Sequence, residues 1–433
     1  MVFQLMGLQS MLSLNNPRQF LIDLYSTAIT AVSAEKCLPP YLPMPPEKGR
    51  TFVIGAGKGA AAMAKTVEDH WKGEISGLVV TRYGHGADTK YIEVVEAAHP
   101  VPDEAGRQAA VRIMEMVRGL TEKDLVLCLI SGGGSALLSL PAEGMTLGQK
   151  QDISRALLRS GATISEINCI RKHLSQIKGG RLALACAPAR VVTLMISDIP
   201  GDDPGIIASG PTLPDPTTCA DALSILRKYQ IEVPENIREH LENGAWETPK
   251  PGDSRFARNE SYIIAKAQDA LEAAAKMANM ANITPYILSN SIEGEARDIA
   301  LMHAAIAKQV AAHGQPFSKP CLIISGGETT VTVRGNGRGG RNTEFLLGFA
   351  IAMEELPGVY AIACDTDGID GSEDNAGALY MPDSLSRAVK KGMNAKALLE
   401  NNDGYGFFSV LDDLFVTGPS RTNVNDFRAI LII

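Results

Sequence analysis

No stretch of this sequence approaches the ~18 consecutive apolar residues that a membrane-spanning helix requires, which excludes an integral helical membrane protein. Nor is there an excess of positive charge: 41 Lys and Arg stand against 49 Asp and Glu, a formal net charge of −8. Nucleic acid binding needs a basic face, so nucleic acid is excluded as a partner, and an anionic ligand would require cations concentrated locally. Cysteine is sparse and shows no CxxC pair; seven residues, an odd number, argue for reduced thiols packed as small hydrophobes in a cytoplasmic compartment. The seven histidines form no HExxH or HxH pair, so spacing gives a zinc site little support. Neither a GxSxG elbow nor a GxxxxGK[ST] loop is present, which removes the usual serine-hydrolase and Walker A readings. The N-terminal MVFQLMGLQSMLSLNNPRQF has no basic n-region and no small-residue cleavage site, and no signal peptide is read there.

What is present is a 433-residue chain, longer than one core usually supports, with short apolar runs alternating with helical patterns. RTFVIGAG, GLVVTRYG, DLVLCLISGGG and RVVTLMISDIP have the character of strands in a parallel sheet covered on both faces. The second half adds ITPYILSN, CLIISGG, VYAIACDTDG and LFVTGP, with SGGETTVTVRG pairing back on its predecessor. The expectation is an α/β protein of two three-layer α/β/α domains. The first (1–255) is doubly wound and mainly parallel, the second (256–433) a mixed sheet, with the active-site cleft between them.

Five glycine-rich turns follow apolar runs: GAGKGA (55–60), SGGGSA (131–136), SGP (209–211), SGGE (325–328) and RGNGRGGRN (334–342). Glycine lets backbone N–H groups approach an anion, and a following helix adds its positive end. GAGKGA satisfies GxGxxA, the dinucleotide pattern, but the next strand ends in Thr81 and Arg82 rather than an acid, and Lys58 sits inside the turn. Arg82 keeps an NADP reading open. NCIRKHLSQIKGGRLA (168–183) concentrates Arg171, Lys172, Lys178 and Arg181; on one helix, Arg171 and Lys178 would share a face. Asp198 follows a strand in ISDIPGDD, and Asp365 opens DTDGIDG, which lacks the twelfth-position Glu of a calcium loop. Arg341 and Asn342 fall where a helix N-terminus would meet an anion.

GAGKGAAAMA, HPVPD, LISGGGSALL, INCIRKHLSQIKGGRLA, SDIPGDDPGIIASGPT, GRGGRNTEFLLGFA, DTDGIDG and VTGPSRTNVND together closely resemble the class II glycerate kinases, whose C-terminal part is the MOFRL domain. The resemblance spans nearly the whole chain in the correct order. It implies ATP-dependent phosphorylation of D-glycerate, usually at the 2-hydroxyl, with Mg²⁺. Relatives also carry the label hydroxypyruvate reductase, which is the NAD(P) reading of GAGKGA; a non-catalytic sugar-phosphate-binding module is the third possibility. The family's lysine of GAGK falls on Lys58, and its C-terminal arginine on Arg341. Thr343, Arg421 and the AKAQDA stretch depart from the family pattern.

Phosphoryl transfer asks a protein for positioning and charge neutralisation. The expected catalytic residues are Lys58, Asp198 and Arg341, with Asp198 as metal ligand or general base and Asp365 next in line. ATP is expected on Gly55, Gly57, Ser131, Gly132, Gly133, Gly134, Ser135, Asn168 and Lys178, with the helix after SGGGS behind its phosphates. Substrate contacts are expected from Arg171, Asn342 and Asp365. The sequence leaves a homo-oligomer and the regiochemistry open.

Overall fold

A computed structural model describes residues 16–433; the N-terminal stretch read above for a signal peptide lies largely outside the described residues. The chain divides into two compact units, one of residues 34–265 and one that joins residues 16–33 to residues 266–433. The first described helix, α1 (Pro17–Ala31), therefore belongs to the C-terminal unit. Asn16 caps it through Gln19 N–H and Pro17 opens it, and Phe20, Leu21, Leu24, Tyr25 and Ala28 form its buried stripe.

The N-terminal unit is built on six parallel strands: β1 (Thr51–Ala56), β2 (Ser76–Arg82), β3 (Ile92–Ala97), β4 (Leu125–Ile130), β5 (Arg190–Ile196) and β6 (Glu260–Ala265). Their order is β3-β2-β1-β4-β5-β6, with every pairing parallel. β1 and β4 are buried along their whole length, which is why they read as unbroken apolar runs. Helices α2 (Ala60–His70), α3 (Glu104–Met116), α4 (Leu147–Arg159), α5 (Ile164–His173) and α6 (Cys219–Lys228) complete the unit's main framework. A second hydrophobic cluster of Ile153, Leu157, Ile167, Ile170, Leu223, Leu226 and Trp246 lies among α4, α5, α6 and the chain after them.

The chain order reverses between β1 and β4, so the loops after these two strands lie together at the switch point, where ligands of open α/β sheets bind. Those loops are GAGKGA and SGGGSA.

The C-terminal unit carries the mixed sheet expected of the second half. β7 (Thr284–Glu295), β8 (Cys321–Thr330), β9 (Val359–Asp365), β10 (Gly377–Tyr380), β11 (Leu414–Phe415) and β12 (Asp426–Ile432) are ordered β11-β10-β9-β12-β8-β7. Only β7 and β8 pair in parallel; β12 runs antiparallel to both β8 and β9. Helices α7 (Ala267–Met280), α8 (Ala296–His313) and α9 (Arg341–Met353) belong to this unit, and α8 and α9 contribute Ala300, Ala304, Phe345 and Phe349 to its core.

The expected boundary near residue 255 moves to 265/266. A boundary at 255 would put Glu260–Ala265 in the second domain, but as β6 this run pairs with β5 and closes the first sheet. The expected turn at SGGE is not a turn: β8 continues through Ser325, Gly326, Gly327 and Glu328 to Thr330. Its pairing with β7 is irregular there, with register shifts around Ser289 and Ile292. The helix drawn through Arg171 and Lys178 also ends early. α5 stops at His173, and the Ser175 hydroxyl accepts from the N–H groups of Ile177 and Lys178, which turns the chain before Gly179. Among the described residues no helix is long and apolar enough to cross a membrane. All seven cysteines are free and six are buried.

Candidate active site

At the switch point the two glycine loops are joined to each other. Ser131 N–H donates to Ala56 O at 3.1 Å, Lys58 N–H to Gly132 O at 2.8 Å, and Gly59 N–H to the Ser131 hydroxyl at 2.9 Å. Gly57 N–H donates to Val80 O and Ala60 N–H to Gly57 O. Gly57 has φ +140°, and a Cβ there would lie 2.1 Å from Ser131 Oγ, so this join requires glycine. The backbone donors of residues 57–60 are thereby consumed within the protein.

The SGGGSA loop is different. Among the described residues no hydrogen bond is made by the N–H groups of Gly132 and Gly133. Gly133 sits at φ +79°, and a Cβ on it would come within 3.0 Å of the His99 ring and 3.4 Å of Lys58 Cγ. Lys58 and His99 therefore stand over this loop. The helix expected behind it is a single turn, Gly134–Leu137, too short to carry much dipole.

Behind the loop lies a polar chain. The Lys178 ammonium donates to Ser135 O at 2.8 Å and contacts Ser135 Oγ at 3.3 Å and Ala208 O at 3.4 Å. Ser135 Oγ meets Ser209 Oγ at 2.9 Å, and the Ser209 hydroxyl donates to Asn168 Oδ1 at 2.7 Å. Ser135, Asn168 and Lys178, expected on separate motifs, thus form one network. Ser209 joins it from a strained backbone: Ala208, Ser209 and Gly210 have φ of 51°, 62° and 56°, a left-handed run that L residues rarely adopt.

The cations here have few carboxylates. Burial, and then Lys150 and Arg171, hold Lys178 well below the usual lysine range. Burial, then Arg171 and Arg181, brings Lys150 down to about 7; among the described residues its ammonium donates only to the backbone oxygens of Leu174 (3.0 Å) and Leu140 (3.5 Å). Arg171, lowered by burial, makes no hydrogen bond or ion pair among the described residues. Lys172 has a buried acid, Asp215 Oδ1 at 3.2 Å. Lys150 went unforeseen because GQKQD reads as the solvated face of a helix. Nothing in the local pattern says that α4 packs that face inward.

Lys150 gives a stability signature. The folded chain holds this proton less tightly than the unfolded chain, whose lysine titrates near 10.5. Between about 7 and 10.5 the unfolded state binds more protons, so this residue's contribution makes stability rise with pH. In Lys150→Met that slope disappears. Chemical denaturation from about pH 7 to about pH 9 should show wild type gaining on the variant by up to about 1.4 kcal/mol per pH unit.

Asp198 lies two residues past the end of β5, the neighbour of β4, and is half-buried. Gly55 lies within β1 and is buried with it.

In the C-terminal unit three adjacent strand ends converge. Asp426 at the start of β12 is in register with Gly327 on β8 and with Asp365 at the end of β9. Arg341, the first residue of α9, spans them: Nε donates to Asp426 at 2.6 Å, and its terminal nitrogens donate to Glu328 at 3.0 Å and Asp365 at 2.9 Å. Burial opposes its charge, but Asp426, Asp365 and Glu328 outweigh burial and keep the guanidinium protonated. Asp426 is fully buried and also accepts from Arg428 and from Asn342 Nδ2 at 2.9 Å.

The anion expected at the α9 N-terminus is supplied by the protein itself. Asp370 accepts from Asn342 N–H and Thr343 N–H, both at 2.9 Å, and from the Thr343 hydroxyl. Asn342 has no exposed surface, whereas Arg341 keeps 21% of its side chain exposed. A cavity of about 290 Å³ beside this helix start is lined by Thr329, Gly339, Gly340, Arg341, Glu344 and Asn402, among others. Asp370→Ala leaves two buried N–H groups without acceptors and should cost about 2 kcal/mol in urea denaturation.

Two separate sheets, one unit with buried cations gathered behind its glycine loops and the other with clustered carboxylates, define a two-unit α/β protein. Comparison with known proteins makes this more particular. Residues 20–242 match a family described as a domain of unknown function, DUF4147, and residues 321–426 match the MOFRL family. An Agrobacterium vitis protein named "Putative hydroxypyruvate reductase" is 51% identical, over 96% of this chain and 94% of its own length. The D-glycerate 2-kinase of Thermotoga maritima is 40% identical, over 96% of this chain and 98% of its own. The crystal structure of a Thermotoga maritima glycerate kinase superposes with a TM-score of 0.86 at 39% identity, covering 97% of this chain and all of that one. The chain belongs to the MOFRL-containing glycerate kinase family.

Proposed function

We propose that this enzyme transfers the γ-phosphoryl group of ATP, with Mg²⁺, to D-glycerate, at the 2-hydroxyl, giving 2-phosphoglycerate. The observation that carries the reading is the contrast between the two loops. A dinucleotide site of the GxGxxA kind offers its backbone N–H groups to a pyrophosphate, and here the N–H groups of residues 57–60 are bonded within the protein. Gly132 and Gly133 N–H remain available, with Lys58 above them and Lys178 behind Ser135. That arrangement suits a phosphate chain over the SGGGS loop better than a nicotinamide dinucleotide over GAGKGA, although several relatives carry a reductase name.

ATP would supply the phosphoryl group, and Mg²⁺, for which Asp198 is the candidate ligand, would supply charge neutralisation at the phosphate oxygens. Ser131 to Ser135 bind and orient the phosphates, and Lys58 neutralises charge that builds on the transferred group. Gly55 and Gly57 shape the first loop, and Asn168 positions Ser135 through Ser209. Arg171, without a partner of its own, is assigned to an anionic group of the substrates. Asp198, a carboxylate at a strand end, fits an oxygen-ligated Mg²⁺ or takes the proton of the attacking hydroxyl. In the C-terminal unit Arg341 is the cationic contact for substrate; Asp365 holds it directly, and Asn342 acts through the Asp426 carboxylate that it and Arg341 both bond.

The test sets two assays side by side on the purified protein: ADP release with D-glycerate and Mg-ATP, and NADPH oxidation with hydroxypyruvate. ADP release without hydride transfer is expected. NADPH oxidation without ADP release would replace the kinase by the reductase, and neither would leave a binding module.

A further inference from the structure

Histidine spacing offers zinc little support, yet the fold gathers three ligand-type side chains away from the glycine loops. His173 closes α5, Cys219 opens α6, and Glu247 lies in the chain that follows them; their ligand atoms all lie within 4.8 Å of one another. We propose that His173, Cys219 and Glu247 form a preformed site for one zinc-class transition-metal ion in the N-terminal unit.

The histidine geometry points to a cation. His173 Nδ1 lies 2.8 Å from Cys169 O, an atom that only accepts, so Nδ1 carries a proton and Nε2 is the ring nitrogen a metal ion would take. Nε2 faces Glu247 Oε1 at 3.2 Å, and the ring is fully buried. A backbone carbonyl on the far ring nitrogen is also the usual outer partner of a metal-bound histidine.

The dimensions agree with this. Bonds of about 2.0–2.3 Å in a tetrahedral site place ligand atoms about 3.3–3.8 Å apart, so closure on an ion asks for shifts of about an ångström or less. One imidazole, one thiolate and one carboxylate is a donor set that zinc-class ions accept, with water as the fourth ligand. Glu247 keeps 37% of its side chain exposed, which leaves a way in for the ion and the water. Metal binding at Cys219 releases the thiol proton.

One group competes. The Lys250 ammonium lies 2.5 Å from Glu247 Oε1, where it occupies part of the space an ion would take. Its other contacts, the Thr248 hydroxyl at 2.7 Å and Thr217 O, remain when Glu247 turns to a metal. The ion would tie the end of α5, which carries Asn168 and Arg171, to the start of α6. Its role is structural, with no contact to reacting groups.

Co²⁺ serves as the optical probe and Zn²⁺ as its competitor, titrated into full-length protein stripped with a chelator. The expected result is one Co²⁺ per chain, with a thiolate charge-transfer band and tetrahedral visible bands, displaced by Zn²⁺. Cys219→Ser should lose the charge-transfer band. His173→Gln should bind at least about 100-fold more weakly, since even outer partners of a ligand are worth roughly 10–100-fold. Lys250→Ala, which leaves all three ligands in place, should bind more tightly than wild type. Wild type that takes up neither metal stoichiometrically overturns the proposal, as does binding that is unchanged in both ligand variants. In that event the His173–Glu247 contact is an imidazolium ion pair only.

Discussion

Lys58→Ala should lose on the order of 10²–10³ in kcat for phosphoryl transfer, the usual cost of removing one preorganised charge from a transition state, while folding is unchanged. Two main-chain bonds hold residue 58 in its loop: its N–H donates to Gly132 O, and its carbonyl accepts from the Thr81 hydroxyl at 3.3 Å. Alanine keeps both, and the join at Ser131 and Gly59 does not involve the side chain. What is lost is the ammonium-bearing chain over Gly133. If Lys58 acts on charge that develops only during transfer, kcat falls and KM changes little. A variant that turns over at the wild-type rate removes Lys58 from the mechanism.

The second large effect is expected in the C-terminal unit. Arg341→Ala leaves Asp426, Asp365 and Glu328 without their shared cation, and Asp426 has no exposed surface through which water could compensate. Loss of one partner from such a buried arrangement costs about 3–5 kcal/mol, so a marked fall in denaturation midpoint is expected together with lost activity. The pH dependence separates this cause from a packing defect. In wild type, Asp426 is held below the ordinary carboxylate range because Arg341 and Arg428 outweigh its burial, so its stabilising contribution is lost as pH falls. In the variant the crowded carboxylates take up protons more readily and gain relief over the same range. The stability gap between the two proteins should therefore narrow toward acid; a gap independent of pH would point to packing alone.

The parts of the fold legible in the sequence are those that a local pattern determines. β1 and β4 are buried on both faces and carry unbroken apolar runs, and each ends at a glycine loop, so the parallel sheet and its switch point could be read directly. The unit to which ESYIIA belongs could not be read. A strand's sequence reports that it is half-buried, not which neighbour it pairs with, and β6 closes the first sheet from beyond the expected boundary. The same holds for α1, whose apolar stripe is satisfied by the C-terminal unit, where Tyr25 donates its hydroxyl to Asp365 O at 2.9 Å.

In the candidate site, glycine loops and basic residues were visible as types, while their partners were not. Gly57 could be seen as a conformationally special residue, but its loop donors are used up by Ser131 and Gly132, seventy residues on. The α9 N-terminus looked open to an anion because Asp370 is distant in sequence and arrives only through the loop after β9. Arg171 and Lys178 both proved to belong to one cationic region, though not to one helix, because the Ser175 turn redirects the chain between them.

The most direct test of the central claim is phosphorus NMR of the reaction mixture after incubating the protein with D-glycerate and Mg-ATP. The account predicts ADP and a phosphate monoester whose phosphorus couples to the single proton on C2, the signature of 2-phosphoglycerate. Coupling to the C3 methylene protons would contradict the regiochemistry. Unchanged ATP, in a preparation that oxidises NADPH with hydroxypyruvate, would contradict the account as a whole.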